Sequence, residues 1–189
     1  MCDTMKQEFY NDEQTKKGER LKLMRLTLEN IEEMMNLQEK VDTALPNKEV
    51  YVCTSREEFQ ETIKERGCIL GYRNEEGRLI ALGAYASYGD HPHNYGYDLD
   101  LTNEQLATVG QVEMMIVDPE YRGNGLQKKL CVALEAFARK DKKVCILATV
   151  SPVNPYSLKN FLDLGYQNEK EKLKYGGLRR YILSKRLFT

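Results

Sequence analysis

Apolar positions change their period several times along the chain, and each change marks an element boundary. Residues 21–27 alternate as a half-buried strand should, and residues 27–38 read as a helix entered through Thr27. Ser55-Arg56-Glu57-Glu58 carries capping-box spacing ahead of Phe59 and Ile63, with a stop at Gly67. Residues 68–72 and 79–86 flank a turn at Asn74-Glu75-Glu76-Gly77 and predict a hairpin. Residues 112–117 form an apolar strand that breaks at Asp118-Pro119, and Leu126, Leu130, Ala133, Leu134 and Phe137 then make one helical stripe. A strand over 144–150 follows. The next helix has Asn154 as its cap, Pro155 at its first position, Leu158, Phe161 and Leu162 facing inward, and Gly165 as its end. Residues 166–174 and 178–187 make a second hairpin around Gly176-Gly177. The predicted order is β-α-α-β-β-β-α-β-α-β-β.

The turn between residues 117 and 126 carries the clearest chemistry. The first amides of a helix lack intrahelical acceptors and sit at the positive end of the helix dipole, so they favour an anionic ligand. Gly123 and Gly125 let the backbone come close to that ligand, and Arg122 adds a fixed positive charge. A dinucleotide-binding fingerprint requires a third glycine and an acidic residue after the next strand; Gln127 and Leu147-Ala148-Thr149 provide neither. A Walker-type loop needs Gly-Lys-Ser/Thr, which the chain lacks.

Arg122-x-x-Gly125 after a strand ending Val117-Asp118-Pro119 resembles the acyl-CoA-binding motif of the GCN5-related N-acetyltransferase (GNAT) superfamily, Gln/Arg-x-x-Gly-x-Gly/Ala, with Gln127 as a departure at the last position. Asn154, followed by Ser157, Phe161 and Leu164-Gly165-Tyr166, resembles that superfamily's second conserved segment. The resemblance extends more weakly over residues 21–187. It implies an α/β fold with a mixed, mostly antiparallel sheet of about six or seven strands and helices on both faces. It also implies acetyl-CoA or coenzyme A as cosubstrate, held by Met115, Ile116, Val117, Arg122, Gly123, Asn124, Gly125, Leu126, Gln127, Lys128, Asn154, Ser157 and Phe161. Amides near Met115 to Val117 would polarise the thioester carbonyl. The superfamily often places a tyrosine where Phe161 stands, to protonate the departing thiolate; a phenyl ring cannot, so the acid is either missing or supplied from elsewhere, with Tyr156 or Tyr166 the candidate substitutes.

The implied activity is an N-acetyltransferase moving acetyl from acetyl-CoA to a primary amine of a small molecule or peptide by direct attack on the thioester. A silent acyl-CoA-binding module and a nucleotide-binding protein are the alternatives. Such an amine must lose a proton to attack, and Glu113 is the general-base candidate because a carboxylate amid an apolar strand is costly without a cleft or partner. Gln111 shares its face. Residues 88–106 are too long and aromatic for a plain turn; from them Tyr95, Tyr97 and Asp98 are candidate substrate contacts.

The remaining composition narrows the setting. Residues 21–189 read as one domain and residues 1–20, polar and mixed in charge, as a loosely attached extension. Five cysteines without a Cys-x-x-Cys pair favour reduced, packed thiols in a cytoplasmic protein, and His91-Pro92-His93 reads as a solvent loop, so no metal is expected. No apolar run spans a bilayer and no secretory segment opens the chain, so no membrane partner is expected. A net charge of −1 argues against nucleic acid, although residues 122–143 hold seven basic side chains against two acidic ones, a bias that suits coenzyme A phosphates. A monomer or homodimer is expected.

Overall fold

The computed structural model describes residues 12–188. Its eight strands form one sheet: β1 Asp12–Gln14, β2 Arg20–Leu26, β3 Gly67–Arg73, β4 Leu79–Ala86, β5 Val109–Val117, β6 Cys145–Val150, β7 Gln167–Lys174 and β8 Leu178–Arg186, in the order β1-β2-β3-β4-β5-β6-β8-β7. Every neighbouring pair is antiparallel except β5 and β6. The α/β fold class agrees with expectation and the strand count is one higher. The extra strand corrects the reading of residues 12–20 as a loose arm. Asp12–Gln14 pair with Arg20–Lys22 of β2, and Tyr72 Oη donates to Glu13 Oε1 at 2.8 Å. Residues 1–11 of that expected extension lie outside the described residues.

Burial explains the strand sequences. All eight residues of β4 are buried, so Leu-Ile-Ala-Leu-Gly-Ala-Tyr-Ala runs apolar on both faces, whereas the edge strand β7 is mostly exposed and reads Gln-Asn-Glu-Lys-Glu-Lys-Leu-Lys. Helix α1 (Ile31–Thr43) lays Ile31, Met34, Leu37 and Val41 on one face of the sheet, against Leu26, Ile69, Leu82 and Ile116. Helix α2 (Arg56–Glu61), capped by Ser55 and extended by a π-helical turn to Arg66, adds Phe59 there. On the opposite face α4 (Leu126–Lys140) buries Leu126, Leu130, Cys131, Leu134 and Ala138 against Leu21, Leu70, Tyr72 and Ile80. Each such leucine contributes about 1.5–3 kcal/mol through burial. Helix α5 (Pro155–Asp163) packs beside α4 through Phe161. Residues 88–106 are structured: a 3-10 turn at Tyr95–Leu99 and the short α3 (Asn103–Leu106), with buried Asn94 bonded to the carbonyls of Gly89 and Leu106.

One irregularity in β5 positions the site. Ala84 pairs with Glu113 and Leu82 with Ile116, so β5 carries one extra residue opposite Gly83, and Met114 adopts a left-handed φ of 56°. The bulge inverts side-chain direction: Val112 packs on the α4 face and Ile116 on the α1 face.

Candidate active site

The parallel ladder between β5 and β6 ends at Val112 and Ala148, while β5 runs on to Val117 and β6 to Val150. The two strands part there, and the backbone of Met114 to Val117 forms one wall of a cleft of about 1180 Å³. That stretch is an edge inside a sheet, with hydrogen-bonding groups turned away from β4 and unpaired by β6.

The turn before α4 opens on the same cleft. Asp118, 1% exposed, caps the 3-10 turn Pro119–Tyr121 by accepting from Glu120 N at 3.0 Å and is neutralised by Lys40 Nζ at 2.8 Å. Tyr121 Oη accepts from Asn74 Nδ2 at 2.9 Å and donates to Glu19 Oε1 at 3.1 Å, which fixes the turn to the β3–β4 and β1–β2 connections. Gly123 and Gly125 have φ of 82° and 73°, and a Cβ built on either meets nothing within 4 Å. The left-handed Gly125 is the cap of α4, so the amides of Leu126, Gln127 and Lys128 begin the helix beside open space. Arg122 is exposed at its rim. This concave row of amides fits a pyrophosphate.

Every cofactor residue expected from the sequence lines the cleft except Asn124. Its Oδ1 accepts from Lys16 N at 2.9 Å and its Nδ2 donates to Tyr121 O at 2.9 Å, so its side chain ties the N-terminal arm to the turn and faces a smaller hollow. Gln127 takes a role of its own: Nε2 donates to Ser157 Oγ and Oε1 accepts from Asn160 Nδ2, both at 2.8 Å, joining the N-terminal ends of α4 and α5. Asn154 Oδ1 caps α5 by accepting from Ser157 N at 3.1 Å. Lys128 pairs with Asp163.

The wall facing away from α4 holds the titratable groups. Glu113 sits at the cleft, accepting from Tyr88 Oη at 2.9 Å and Gln111 Nε2 at 2.8 Å. Burial raises its carboxyl above the ordinary value, against the opposing pull of those two hydrogen bonds and of His93. Gln111 is buried; its Oε1 accepts from Tyr95 N at 3.0 Å, which anchors the 3-10 turn over β5. The hydroxyl of Tyr95 meets that of Tyr175 at 2.9 Å, and Tyr175 meets Thr149 Oγ1 at 3.2 Å.

Three expected residues lie elsewhere or act otherwise. Tyr166 points away from the cleft: its ring packs edge-to-face on Phe161 at 4.9 Å and its hydroxyl is buried without a hydrogen-bond partner, which removes it as the substitute acid. Tyr97 is not at the cleft; its hydroxyl donates to Asp90 O at 2.7 Å and closes the loop on itself. Asp98 lines the cleft but pairs with Lys174, so it is a neutralised anchor for β7. Tyr95 lines the cleft, as does Tyr156, 84% exposed at its mouth. Phe161 lines it and is buried. Tyr88, His93, Thr149, Tyr175 and Arg180 line it too and were not legible as site residues. Among the described residues no group of three or more His, Cys, Asp or Glu could hold a metal, and no helix is long and apolar enough to cross a membrane. Burial pushes the Cys131 thiol up to about 12, as expected of a packed thiol rather than a nucleophile.

A family model described as "Acetyltransferase (GNAT) family" matches residues 31–166. The chain belongs to the acetyltransferase (GNAT) family. The match spans α1, β5, the turn before α4, and α5, and ends before β7 and β8. The GNAT domain of S. lividans PAT has a similar structure, with a TM-score of 0.70 at 20% identity, covering 94% of this chain and 96% of that one. A protein of the same fold from Salmonella typhimurium, solved with its cofactor acetyl-CoA, has a TM-score of 0.66 at 15% identity, covering 89% and 95%. The ribosomal-protein-S18-alanine N-acetyltransferase from Escherichia coli has a TM-score of 0.65 at 14% identity, covering 89% and 95%. A comparison with proteins of curated function finds no match.

Proposed function

We propose that this GNAT protein transfers acetyl from acetyl-CoA to a primary amine by direct attack on the thioester. The observation that carries this reading is convergence on one cleft: the amide row at the start of α4, the backbone of Met114 to Val117 left unpaired by β6, and Glu113 on the opposite wall. Family membership and the Salmonella typhimurium neighbour's acetyl-CoA support the donor.

Bound acetyl-CoA would supply an activated acetyl group. The amides of Leu126 to Lys128 would hold the pyrophosphate, with Arg122 adding charge at the rim. The Asn154 side chain keeps its Nδ2 available for the pantetheine arm because only its Oδ1 caps α5. Amides of Met115 to Val117 would stabilise the oxygen that gains charge as the amine adds. An alkylammonium, with a pKa of about 10.4, must first lose a proton, and Glu113 takes it. The amine nitrogen bonds to the carbonyl carbon, the carbon–sulfur bond breaks, the sulfur leaves as thiolate, and the nitrogen releases its second proton to water as the amide forms. A thiol pKa of about 8.5 makes that anion a tolerable leaving group, so Phe161 needs no acidic replacement and water supplies the proton. Free thiols at Cys53, Cys68, Cys131 and Cys145 fit a reducing compartment such as the cytoplasm.

The test is thiol release from acetyl-CoA across a panel of primary amines, together with calorimetry against coenzyme A, acetyl-CoA and nucleotides. The reading expects release with at least one amine and coenzyme A binding in preference to nucleotides. Coenzyme A binding without release for any amine would favour the silent module, and nucleotide binding without coenzyme A binding would discard both.

A further inference from the structure

Three charged side chains among the described residues are buried: Asp118, Glu135 and Arg180. Asp118 has Lys40 at 2.8 Å, and Glu135 has Lys185 at 2.7 Å. Arg180, 4% exposed, has no carboxylate within ion-pair distance among the described residues. Its Nη1 donates to Arg179 O at 2.7 Å, and its guanidinium lies 5.5 Å from the centre of the Tyr175 ring. The exposed Glu49 acts on it through charge alone, without an ion pair. Lys174, on the same hairpin, is neutralised by Asp98. A guanidinium has five donors and is never deprotonated in proteins, so an unpaired buried one is costly unless something completes it.

Arg180 lines the cleft, and strand parity fixes its side. Gln111 pairs with Leu147, Leu147 with Ser184 and Thr149 with Ile182, so Gln111, Glu113, Thr149, Ile182 and Arg180 share one face, the one turned away from α4. The amide row that begins α4 is on the other face. Arg180 therefore belongs to the acceptor side. From β5 to β8 is two strand spacings, about 10 Å, a span that long side chains from each end reduce to the size of a small molecule.

Building on the acetyltransferase reading, we infer that the acceptor is a small amine that also carries a carboxylate, with Arg180 holding the carboxylate and Glu113 facing the amine. The guanidinium offers a two-pronged contact that a neutral amide cannot match. Tyr175, whose ring covers Arg180 and whose hydroxyl meets Tyr95 and Thr149, is the positioning residue for that contact.

The experiment compares matched probes: phenylalanine with phenylalaninamide and phenethylamine, lysine with cadaverine, γ-aminobutyrate with its amide, and a dipeptide ending in phenylalanine with its C-terminal amide. Binding to the coenzyme A-saturated protein is measured by calorimetry, and thiol release from acetyl-CoA is measured in parallel. At least one carboxylated probe should bind thirtyfold or more tightly than its amide, and the pair that shows it identifies whether the carboxylate is that of a free amino acid or of a peptide end. Arg180→Met should bring that ratio within threefold while leaving coenzyme A affinity unchanged, and Arg180→Lys should recover part of it. Carboxylated probes that bind no more tightly than their amides overturn the inference, whether or not thiol is released. A preference in binding with no thiol release for any probe leaves Arg180 as a carboxylate site and overturns the acetyltransferase reading, and with it the role of the bound amine as acceptor. The wild-type comparison needs no variant to fold, and an Arg180→Met protein that binds coenzyme A normally yet keeps the preference overturns the assignment to Arg180.

Discussion

Replacing Glu113 with glutamine separates catalysis from stability in opposite directions. The carboxylate accepts from Tyr88 Oη and Gln111 Nε2. Gln111 cannot turn its amide over, because its Oε1 holds Tyr95 N, so it remains a donor. A glutamine at 113 can accept from Gln111 through its oxygen and donate to Tyr88 Oη, which rotates to receive it. No hydrogen bond is lost, and a charge that burial disfavours is removed. The Glu113 carboxyl is raised above its ordinary value by burial, so its contribution to stability is fully present below the ordinary carboxylate pKa and fades as pH rises through the raised one. At pH 8 Glu113→Gln should therefore be at least as stable as the wild type. A gain of about 1 kcal/mol appears as a rise of roughly 2–4 °C in Tm for a chain of this size, and the difference should vanish near pH 4. Loss of a general base should lower kcat by about 10²–10⁴-fold, or roughly 3–5 kcal/mol of barrier, and flatten the rise of turnover with pH. Thermal unfolding from pH 4 to 9 and steady-state thiol release over the same range measure both. Turnover within threefold of wild type at every pH, or a Tm several degrees lower at pH 8 than at pH 4 relative to wild type, would refute the argument.

Other substitutions probe the remaining assignments. Tyr166→Phe removes a buried hydroxyl that has no hydrogen-bond partner, so Tm should stay level or rise and turnover should not change; Tyr156→Phe should likewise alter kcat less than twofold, and a tenfold fall in either would restore that tyrosine as the acid. Gln127→Ala breaks two helix-linking hydrogen bonds, which costs about 1–3 kcal/mol, and should raise the KM for acetyl-CoA more than it lowers kcat in initial-rate assays. Phe161→Ala leaves a hole beneath Tyr166 and should destabilise by about 3–5 kcal/mol in urea unfolding, whereas Phe161→Leu should retain most of the stability.

The donor half of the cleft was readable in the sequence because its parts are local. A strand, a Gly-containing turn and a helix start lie within residues 112–128, and Asn154 with Pro155 caps the next helix by short-range rules, so spacing alone brings the backbone groups into place. Glu113 was readable for a related reason, as a charge in an apolar run. The acceptor half was not, because it depends on strand order. Arg180 and Tyr175 reach the cleft only because β8 inserts between β6 and β7, and a hairpin read from its own pattern gives no sign of which of its strands faces inward. Arg180 also follows Arg179 directly, and nothing in that pair of like residues marks one as buried. Tyr166 misled for the opposite reason: it neighbours a motif in sequence while the end of α5 turns it to the far side of Phe161. The edge strand β1 was missed because three polar residues have no pattern of their own and acquire order from their partner β2.

The bulge at Met114 is a phase shift in the two-residue repeat of β5. Before it, odd-numbered residues face the acceptor side; after it, Ile116 packs among the residues of the α1 face and the odd positions turn toward α4. Removing Met114 would leave Glu113 opposite Ala84, Met115 opposite Gly83 and Ile116 opposite Leu82, so Met115, Ile116 and Val117 would keep their faces and the strand would alternate without a break. An alignment of this strand that places its gap elsewhere thus assigns correct letters to wrong surfaces. A redesign of the acceptor pocket must count residues from Gln111 and Glu113 on one side of that point, and from Ile116 on the other.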